Sequence, residues 1–378
     1  MRVALVHDYL NQMGGGEKVL LALARMFPGA PIYTSIYEPS RVDEAFASLD
    51  IRASFMQRLP FVKRHHQPFL PLYPFAMESF DLREYDLVVS DSSAFAKGVV
   101  TRPGALHISY CHTPMRWAWN FEDYIERERV GWLGRRALAP FIHWLRLWDY
   151  ATAARVDAFI ANSPVVAARI AKYYRRESVV IPPPVEVSQV AVSTRREDYF
   201  LIISRLVPYK RIDVAVRACS KLGLPLRIVG VGRDERRLRA LAGPTVRFLG
   251  RLSDTQKQEQ LAGCRAFIFP GEEDFGIAPV EAQACGKPVI AFAAGGALWT
   301  VIDGETGLFF REQTTESLLS ALANFRDDQF DPWVIRRHAE QFDTARFTER
   351  LGSFIAAQLD ADRMARQGEH KWGGSRGA

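Results

Sequence analysis

The chain has 378 residues, and at roughly 100–200 residues per domain this implies two or three domains. Hydrophobic residues make up 48% and charged residues 24%, and the 21 prolines and 26 glycines are spread out, which excludes collagen-like and low-complexity chains. The formal net charge of +6 favours anionic partners: nucleic acid, anionic lipid or phosphorylated small molecules.

The four cysteines, Cys111, Cys219, Cys264 and Cys285, lie far apart, with neither zinc-site spacing nor the density of a disulfide scaffold. They read as reduced, mostly buried thiols of a cytosolic protein. Met1 to Asp8 lacks the long apolar stretch and small-residue cleavage site of a signal peptide. No window reaches about 18 apolar residues without a charge, so no spanning helix is expected.

In chain order, Arg2 to His7 reads as a short buried strand, followed by a glycine turn at Gly14, Gly15 and Gly16. A helix is expected from Glu17, an acid suited to the helix dipole, to Phe27, where Pro28-Gly29 stops it. Ala30 to Ser35 returns to a strand, completing a unit that favours an open parallel sheet. Further strands are expected at 86–90, 105–110 and 158–162, and Ser163-Pro164 caps and starts a helix running through Ile170.

Pro182-Pro183-Pro184 cannot continue a central strand or helix, so a domain boundary falls there. The alternation then restarts: strand 199–204, helix 212–222, strand 226–229, helix 234–242, strand 246–249, helix 255–263, strand 266–269, helix 277–285 and strand 288–291. A helix follows at 333–342, and Phe347, Leu351, Phe354, Ile355 and Leu359 share one face of the next. The reading is two successive doubly wound α/β domains, 1–185 and 186–345. A C-terminal helix at 346–366 and a polar, disordered tail at 367–378 follow. A ligand is expected at the carboxyl ends of the strands.

Two stretches combine basic and aromatic residues. Arg52, Arg58, Lys63 and Arg64 are interleaved with Phe61 and followed by Phe69, and Arg127, Arg129, Arg135 and Arg136 lie near Trp132 and Trp144. Such stretches suit the headgroup zone of an anionic bilayer. They equally describe helices packing aromatic faces inward beneath solvated arginines. No recognised nucleic-acid motif accompanies the charge.

The densest signal runs from Phe269 to Ile290. A strand ends in a loop whose Gly276 lets backbone approach a ligand, and a helix starting at Ile277 offers N–H groups to an anion. Glu273 and Glu281, eight positions apart, can touch different parts of one extended polyol ligand. Arg205 closes a strand and Lys210 lies in the loop beyond it, two cations placed to meet a phosphate. His112 follows an N-domain strand within His-Thr-Pro. Gly14-Gly15-Gly16-Glu17 has neither the G-x-G-x-x-G nor the Gly-Lys-Ser/Thr spacing of the familiar nucleotide loops.

The string Glu273 to Glu281, with Phe275-Gly276, Glu281-Ala282 and Gly286-Lys287-Pro288-Val289-Ile290, resembles the signature of retaining glycosyltransferases of family 4. That resemblance implies the GT-B fold: two Rossmann-like doubly wound domains facing each other across a cleft, with C-terminal helices packing back toward the N-terminal domain. It implies that Glu273 meets donor-sugar hydroxyls and Glu281 the ribose, while the backbone at Phe275, Gly276 and Ile277 meets sugar and diphosphate. Arg205 and Lys210 would hold the diphosphate, helped by the glycine loop Gly14–Gly16 and by Gly232, and His112 would face the donor hexose. No Asp-x-Asp occurs in a site context, so no metal and no cofactor are expected beyond a nucleotide-sugar donor substrate.

His7-Asp8-Tyr9-Leu10, Tyr110 to Trp117 and Glu272 to Ile277 resemble a bacterial subgroup of GDP-mannose-dependent mannosyltransferases. These act on polyprenyl-diphosphate-linked saccharides at the inner face of the cytoplasmic membrane, in O-antigen or exopolysaccharide synthesis. The expected partners are therefore a nucleotide sugar, that acceptor and an anionic membrane surface, with no nucleic acid. A UDP-hexose donor, a hydrolase or phosphorylase on the same fold, and a non-catalytic sugar-nucleotide or lipid-surface binding protein are the alternatives.

Overall fold

The computed structural model describes residues 1–63, 65–121 and 131–373. The chain divides into two compact units, Met1–Pro184 with Phe347–Ala378, and Val185–Arg346.

The first unit holds a seven-stranded sheet: β1 (Val3–His7), β2 (Ile32–Thr34), β3 (Ile51–Ala53), β4 (Leu87–Ser92), β5 (Leu106–Cys111), β6 (Ala158–Ala161) and β7 (Ser178–Val180). The spatial order is β3-β2-β1-β4-β5-β6-β7, and every pairing is parallel. Successive side chains of β1 serve opposite faces. Ala4 and Val6 join a core with Tyr73, Phe95 and Leu145, while Leu5 joins Leu20, Leu23, Phe347 and Leu351. Both faces are thus covered, as a parallel sheet requires, and each buried large side chain contributes about 1.5–3 kcal/mol. The second core includes the C-terminal helix Thr344–Gly373, which packs on this unit through Phe347 against Tyr110 and through Arg366, which donates to the Gly104 carbonyl at 2.7 Å.

The second unit holds a six-stranded parallel sheet: β8 (Phe200–Ile203), β9 (Leu226–Val229), β10 (Val246–Gly250), β11 (Ala266–Phe269), β12 (Val289–Phe292) and β13 (Gly307–Phe310). Their order is β10-β9-β8-β11-β12-β13. Phe200, Ile202, Ile228 and Ile268 point into one core, Leu201, Val229, Phe267 and Val289 into the other. Each unit is therefore Rossmann-like and doubly wound, with a switch point where the strand order reverses: between β1 and β4 in one, between β8 and β11 in the other. Ligands bind at such points, beyond the strands' carboxyl ends.

Several elements depart from expectation. Gly15 and Gly16 are not in a turn but open the helix Gly15–Met26, with extended Gly14 as its N-cap. Edge strands β3, β7 and β13, each of three or four residues, are additional. So is the helix Thr315–Asn324, capped by Thr314. The helix Trp132–Ala153 runs 22 residues through Pro140. The final helix continues to Gly373, past the start of the expected tail.

Candidate functional site

At the switch point of the second unit, β8 and β11 pair directly, Phe200 beside Ala266, so the segments leaving both strands emerge side by side. Past β8, Arg205 is exposed and donates to the Tyr209 hydroxyl at 3.3 Å. Lys210 ends a short turn, Pro208–Lys210, and its ammonium pairs with the Glu273 carboxylate from the segment past β11. Lys210 and Glu273 are thus brought together. Arg211, an extra cation in sequence, turns elsewhere: it donates to Gln313 at 3.1 Å, and Gln313 donates to the Pro270 carbonyl at 3.0 Å. That chain of contacts ties the β8 loop to the end of β11.

The Glu273 loop is held by close backbone approaches. A Cβ on Gly296 would lie 2.3 Å from the Phe275 carbonyl oxygen, and one on Gly295, at φ +60°, 2.3 Å from that of Glu273. The Gly296 N–H donates to that Glu273 oxygen at 2.8 Å. The Phe275 ring is buried against Trp299 and Phe342, so only its backbone is available to a ligand. Gly276, at φ +92°, is the N-cap of the helix Ile277–Ala284, and no side chain caps it. The N–H groups of Ile277 and Ala278 find no acceptor inside an α-helix, and Pro279 has none to offer. Half-buried Glu281 sits one turn further along that helix. Gly232 fills a packing role: a Cβ there would come within 2.2 Å of the Leu206 carbonyl oxygen, so glycine lets the turn after β9 lie against the Arg205 loop.

At the switch point of the first unit, His7 ends β1 and Asp91 lies opposite it in β4. His7 Nδ1 donates to Asp91 Oδ2 at 2.8 Å, and His112 Nε2 donates to Asp91 Oδ1 at 2.5 Å. Glu17 Oε1 lies 3.8 Å from His7 Nε2. Burial by itself lowers the His7 pKa, but hydrogen bonds to Asp91 and Glu17 outweigh it and raise the value to about 10. For His112 too, burial lowers the pKa and the Asp91 charge more than restores it, leaving it above 6.5. Gly16 approaches this group closely, since a Cβ there would be 3.3 Å from His112 Nε2. Gly14 is the N-cap and Gly15 the first helical residue.

Asp91 is the functional-looking residue that the sequence reading missed. The Val88-Val89-Ser90-Asp91 ending of a strand was the signal, but a carboxylate there means nothing until β1 and β5 bring two histidines to it. Asp8, by contrast, accepts from the backbone N–H groups of Ser93, Phe95 and Ala96 at 2.7, 2.8 and 2.6 Å, which makes it an anchor for the turn after β4. Ser163 caps its helix by accepting from the Val166 N–H at 3.3 Å. Asp360 and Asp362 pair along their own helix with Arg363 and Arg366. The four cysteines are buried free thiols. Among the described residues no cluster of three or more His, Cys, Asp or Glu side chains could hold a metal ion.

Of the basic-aromatic residues, Phe61 is 78% and Trp132 66% exposed, and Arg58, Arg135 and Arg136 are exposed. Lys63 is half-buried, 4.0 Å from Glu38. Phe69 is half-buried against the core, and Trp144 stacks on Phe75 and Phe141. Arg64, Arg127 and Arg129 lie outside the described residues. Among those described, no helix is long and apolar enough to cross a membrane.

Two family models match: Glycosyltransferase Family 4 over residues 13–189 and Glycosyl transferases group 1 over 186–345. A GDP-mannose-dependent monoacylated alpha-(1-6)-phosphatidylinositol monomannoside mannosyltransferase of Corynebacterium glutamicum is 38% identical over 141 residues, 33% of this chain and 37% of that protein. Human alpha-1,3/1,6-mannosyltransferase ALG2 is 27% identical over 94% of this chain and 96% of its own. The Anabaena protein Alr3699/HepE, solved with UDP and glucose, has a TM-score of 0.68 at 17% identity, covering 94% of this chain and 99% of its own. The chain spans 37%, 62% and 66% of the length of three of the curated relatives it matches. The chain is a GT-B-fold relative of the group 1 and family 4 glycosyltransferases.

Proposed function

We propose that this chain is a retaining glycosyltransferase that moves a hexose from a nucleoside-diphosphate donor to a saccharide hydroxyl. The observation that carries this reading is the convergence, at one switch point, of Arg205, the Lys210–Glu273 pair and the uncapped helix start at Gly276 and Ile277. The two cations and the helix N–H groups suit a diphosphate whose charge grows as it departs. Glu273 and Glu281 suit the hydroxyls of the sugar and the ribose. In the step proposed, the C1–O bond to phosphate breaks with its electron pair going to the phosphate. The acceptor oxygen bonds C1 on the same face, and its proton passes to a departing phosphate oxygen. His112 hydrogen-bonds the hexose and orients it.

Two donor classes have support. UDP-hexose is supported by the Anabaena protein of similar fold, solved with UDP and glucose, whose likeness extends over 94% of this chain. GDP-mannose is supported by the mannosyltransferase from Corynebacterium glutamicum, whose likeness covers 33% of it. For the acceptor we take a polyprenyl-diphosphate-linked saccharide at an anionic membrane surface, the cytoplasmic face of the inner membrane of a bacterium. Exposed Phe61 and Trp132 beside Arg58, Arg135 and Arg136 support that choice.

The test is incubation of the full chain with sugar-labelled UDP-hexoses and GDP-mannose and a lipid-linked saccharide fraction. Label appearing in the lipid fraction with release of the nucleoside diphosphate is expected. Binding of donor with neither transfer nor release contradicts the reading in favour of a non-catalytic sugar-nucleotide binding protein, and release of free sugar alone favours a hydrolase.

A further inference from the structure

We propose that Asp91 is a positioning residue for transfer, holding His112 by Nε2 so that Nδ1 is the ring atom presented to the substrate. The inference rests on the glycosyltransferase reading for its substrate, an oxygen of the donor hexose, but its geometry does not. His112 Nε2 donates to Asp91 Oδ1 at 2.5 Å, while Oδ2 of the same carboxylate accepts from His7 Nδ1 at 2.8 Å. Asp91 is fully buried, so both bonds are shielded from water and the ring orientation is fixed. Among the described residues nothing hydrogen-bonds Nδ1 of His112. The backbone is fixed as well: the His112 N–H donates to the Ser92 carbonyl at 2.8 Å, carrying the register of β4 and β5 into the site.

The groups around His112 decide its charge. Asp91 on β4 and Asp8 past β1 favour the imidazolium, and His7 at the end of β1 opposes it. Glu17, on the helix Gly15–Met26, lies 3.8 Å from His7 Nε2 and helps to raise the His7 pKa, which keeps that opposing charge in place. Tyr110, on β5, has its ring centroid 5.2 Å from that of His112 and donates its hydroxyl to the Ile181 carbonyl at 2.9 Å, so it brings no charge. The Asp91 charge thus raises the His112 pKa above its ordinary value and favours the imidazolium, the form that offers Nδ1–H as a donor. Glycine at position 16 follows from the same arrangement, because any side chain there would press on the Nε2 edge that Asp91 holds.

The test combines a spectrum and a rate profile. Histidine-selective nitrogen-15 NMR of the ligand-free full chain, with His112→Gln used for assignment, should show His112 protonated at Nε2 and titrating above 6.5. A His112 that titrates at or below 6.5, or one protonated only at Nδ1, overturns the proposal, and this readout needs neither transfer activity nor a substitution at Asp91. In Asp91→Asn the His112 resonance should titrate at or below its ordinary value. Turnover at pH 8 should fall about 10²-fold, recover partly at pH 6, and leave donor KM within about threefold. An equal loss at both pH values with unchanged His112 titration contradicts the role. If the parent transfers no sugar but the spectrum is as stated, the glycosyltransferase reading fails and the placement of His112 stands.

Discussion

The Lys210 ammonium and the Glu273 carboxylate, delivered by the neighbouring strands β8 and β11, form an ion pair in which each side chain is only 17% exposed. In the proposed reaction, a phosphate held by Arg205 and Lys210 would share Lys210 with Glu273. The pair supplies a cation whose position is fixed before the ligand arrives, which is what stabilisation of developing charge requires.

Replacing Arg205 or Lys210 by alanine should lower turnover about 10²–10³-fold, the scale for losing one charge-stabilising group. Arg205→Ala is the cleaner test, because Lys210→Ala also strips Glu273 of its partner. Melting curves should show Arg205→Ala unchanged within about 0.5 kcal/mol, as expected of an exposed side chain. Turnover within threefold of the parent for both variants would remove these residues from the mechanism.

The two glutamates should separate by calorimetry. Glu281→Ala is expected to weaken the nucleoside diphosphate and the whole donor alike, since both carry ribose. Glu273→Ala should bind the diphosphate nearly as the parent does and lose transfer. Equal weakening in both variants contradicts the division of roles.

Gly296→Ala places a methyl group where the Phe275 carbonyl oxygen is 2.3 Å away, so the Glu273 loop must move. A loss of about 1–3 kcal/mol in urea unfolding is expected, the usual cost of overpacking, together with loss of transfer. Gly131, with φ −62° and nothing within 4 Å of its Cβ position, is the control and should tolerate alanine within about 1 kcal/mol. Equal midpoints for the two variants would show that the loop is not held as described.

Stability should depend on pH through His7. Its folded pKa of about 10 lies above the ordinary 6.5, so its contribution is full below 6.5 and lost as pH rises toward 10. Asp91 acts at the other end: its pKa is below the ordinary 3.8, so its contribution holds above that value and is lost as pH falls through the lower folded value. The melting temperature should decline between pH 6.5 and 10, and the decline should flatten in His7→Gln. Parallel slopes for parent and variant would contradict the assignment.

The proposed membrane contact predicts that the chain sediments with liposomes containing anionic lipid and much less with neutral ones. Each basic residue near such a surface is worth roughly 1 kcal/mol, so reversing Arg58, Arg135 and Arg136 to glutamate should release it. Transfer to a short water-soluble acceptor should hardly change. Equal sedimentation of parent and variant at physiological salt contradicts a basic docking face.

Sequence alone located the second unit's elements closely because its helices carry local stop and start signals, such as Ser253 before Asp254–Gly263 and Gly223 after Ile212–Leu222. Strands β3 and β13 escaped because three or four residues on a sheet edge give no period to read. Lys210 and Glu273 were each visible as motif residues, but their ion pair depends on the adjacency of β8 and β11, a relation between segments about 60 residues apart. The His7–Asp91–His112 group is further from legibility. It needs three strands in register, and a lone aspartate at a strand end carries no signal of its own. The resemblance assigned Gly14–Gly16 to the donor diphosphate, and nothing in the sequence shows that Gly16 also lies close against His112.

The central claim, that the switch point between β8 and β11 holds the diphosphate of a nucleotide sugar, is tested most directly by calorimetric titration of the full chain with UDP and with GDP. The titration is repeated on the Arg205→Ala, Lys210→Ala double variant. Saturable one-to-one binding of one nucleotide by the parent, weakened at least about tenfold in the double variant, a loss of about 1.4 kcal/mol, is the predicted result. Binding of neither nucleotide, or equal affinity in parent and double variant, would contradict it.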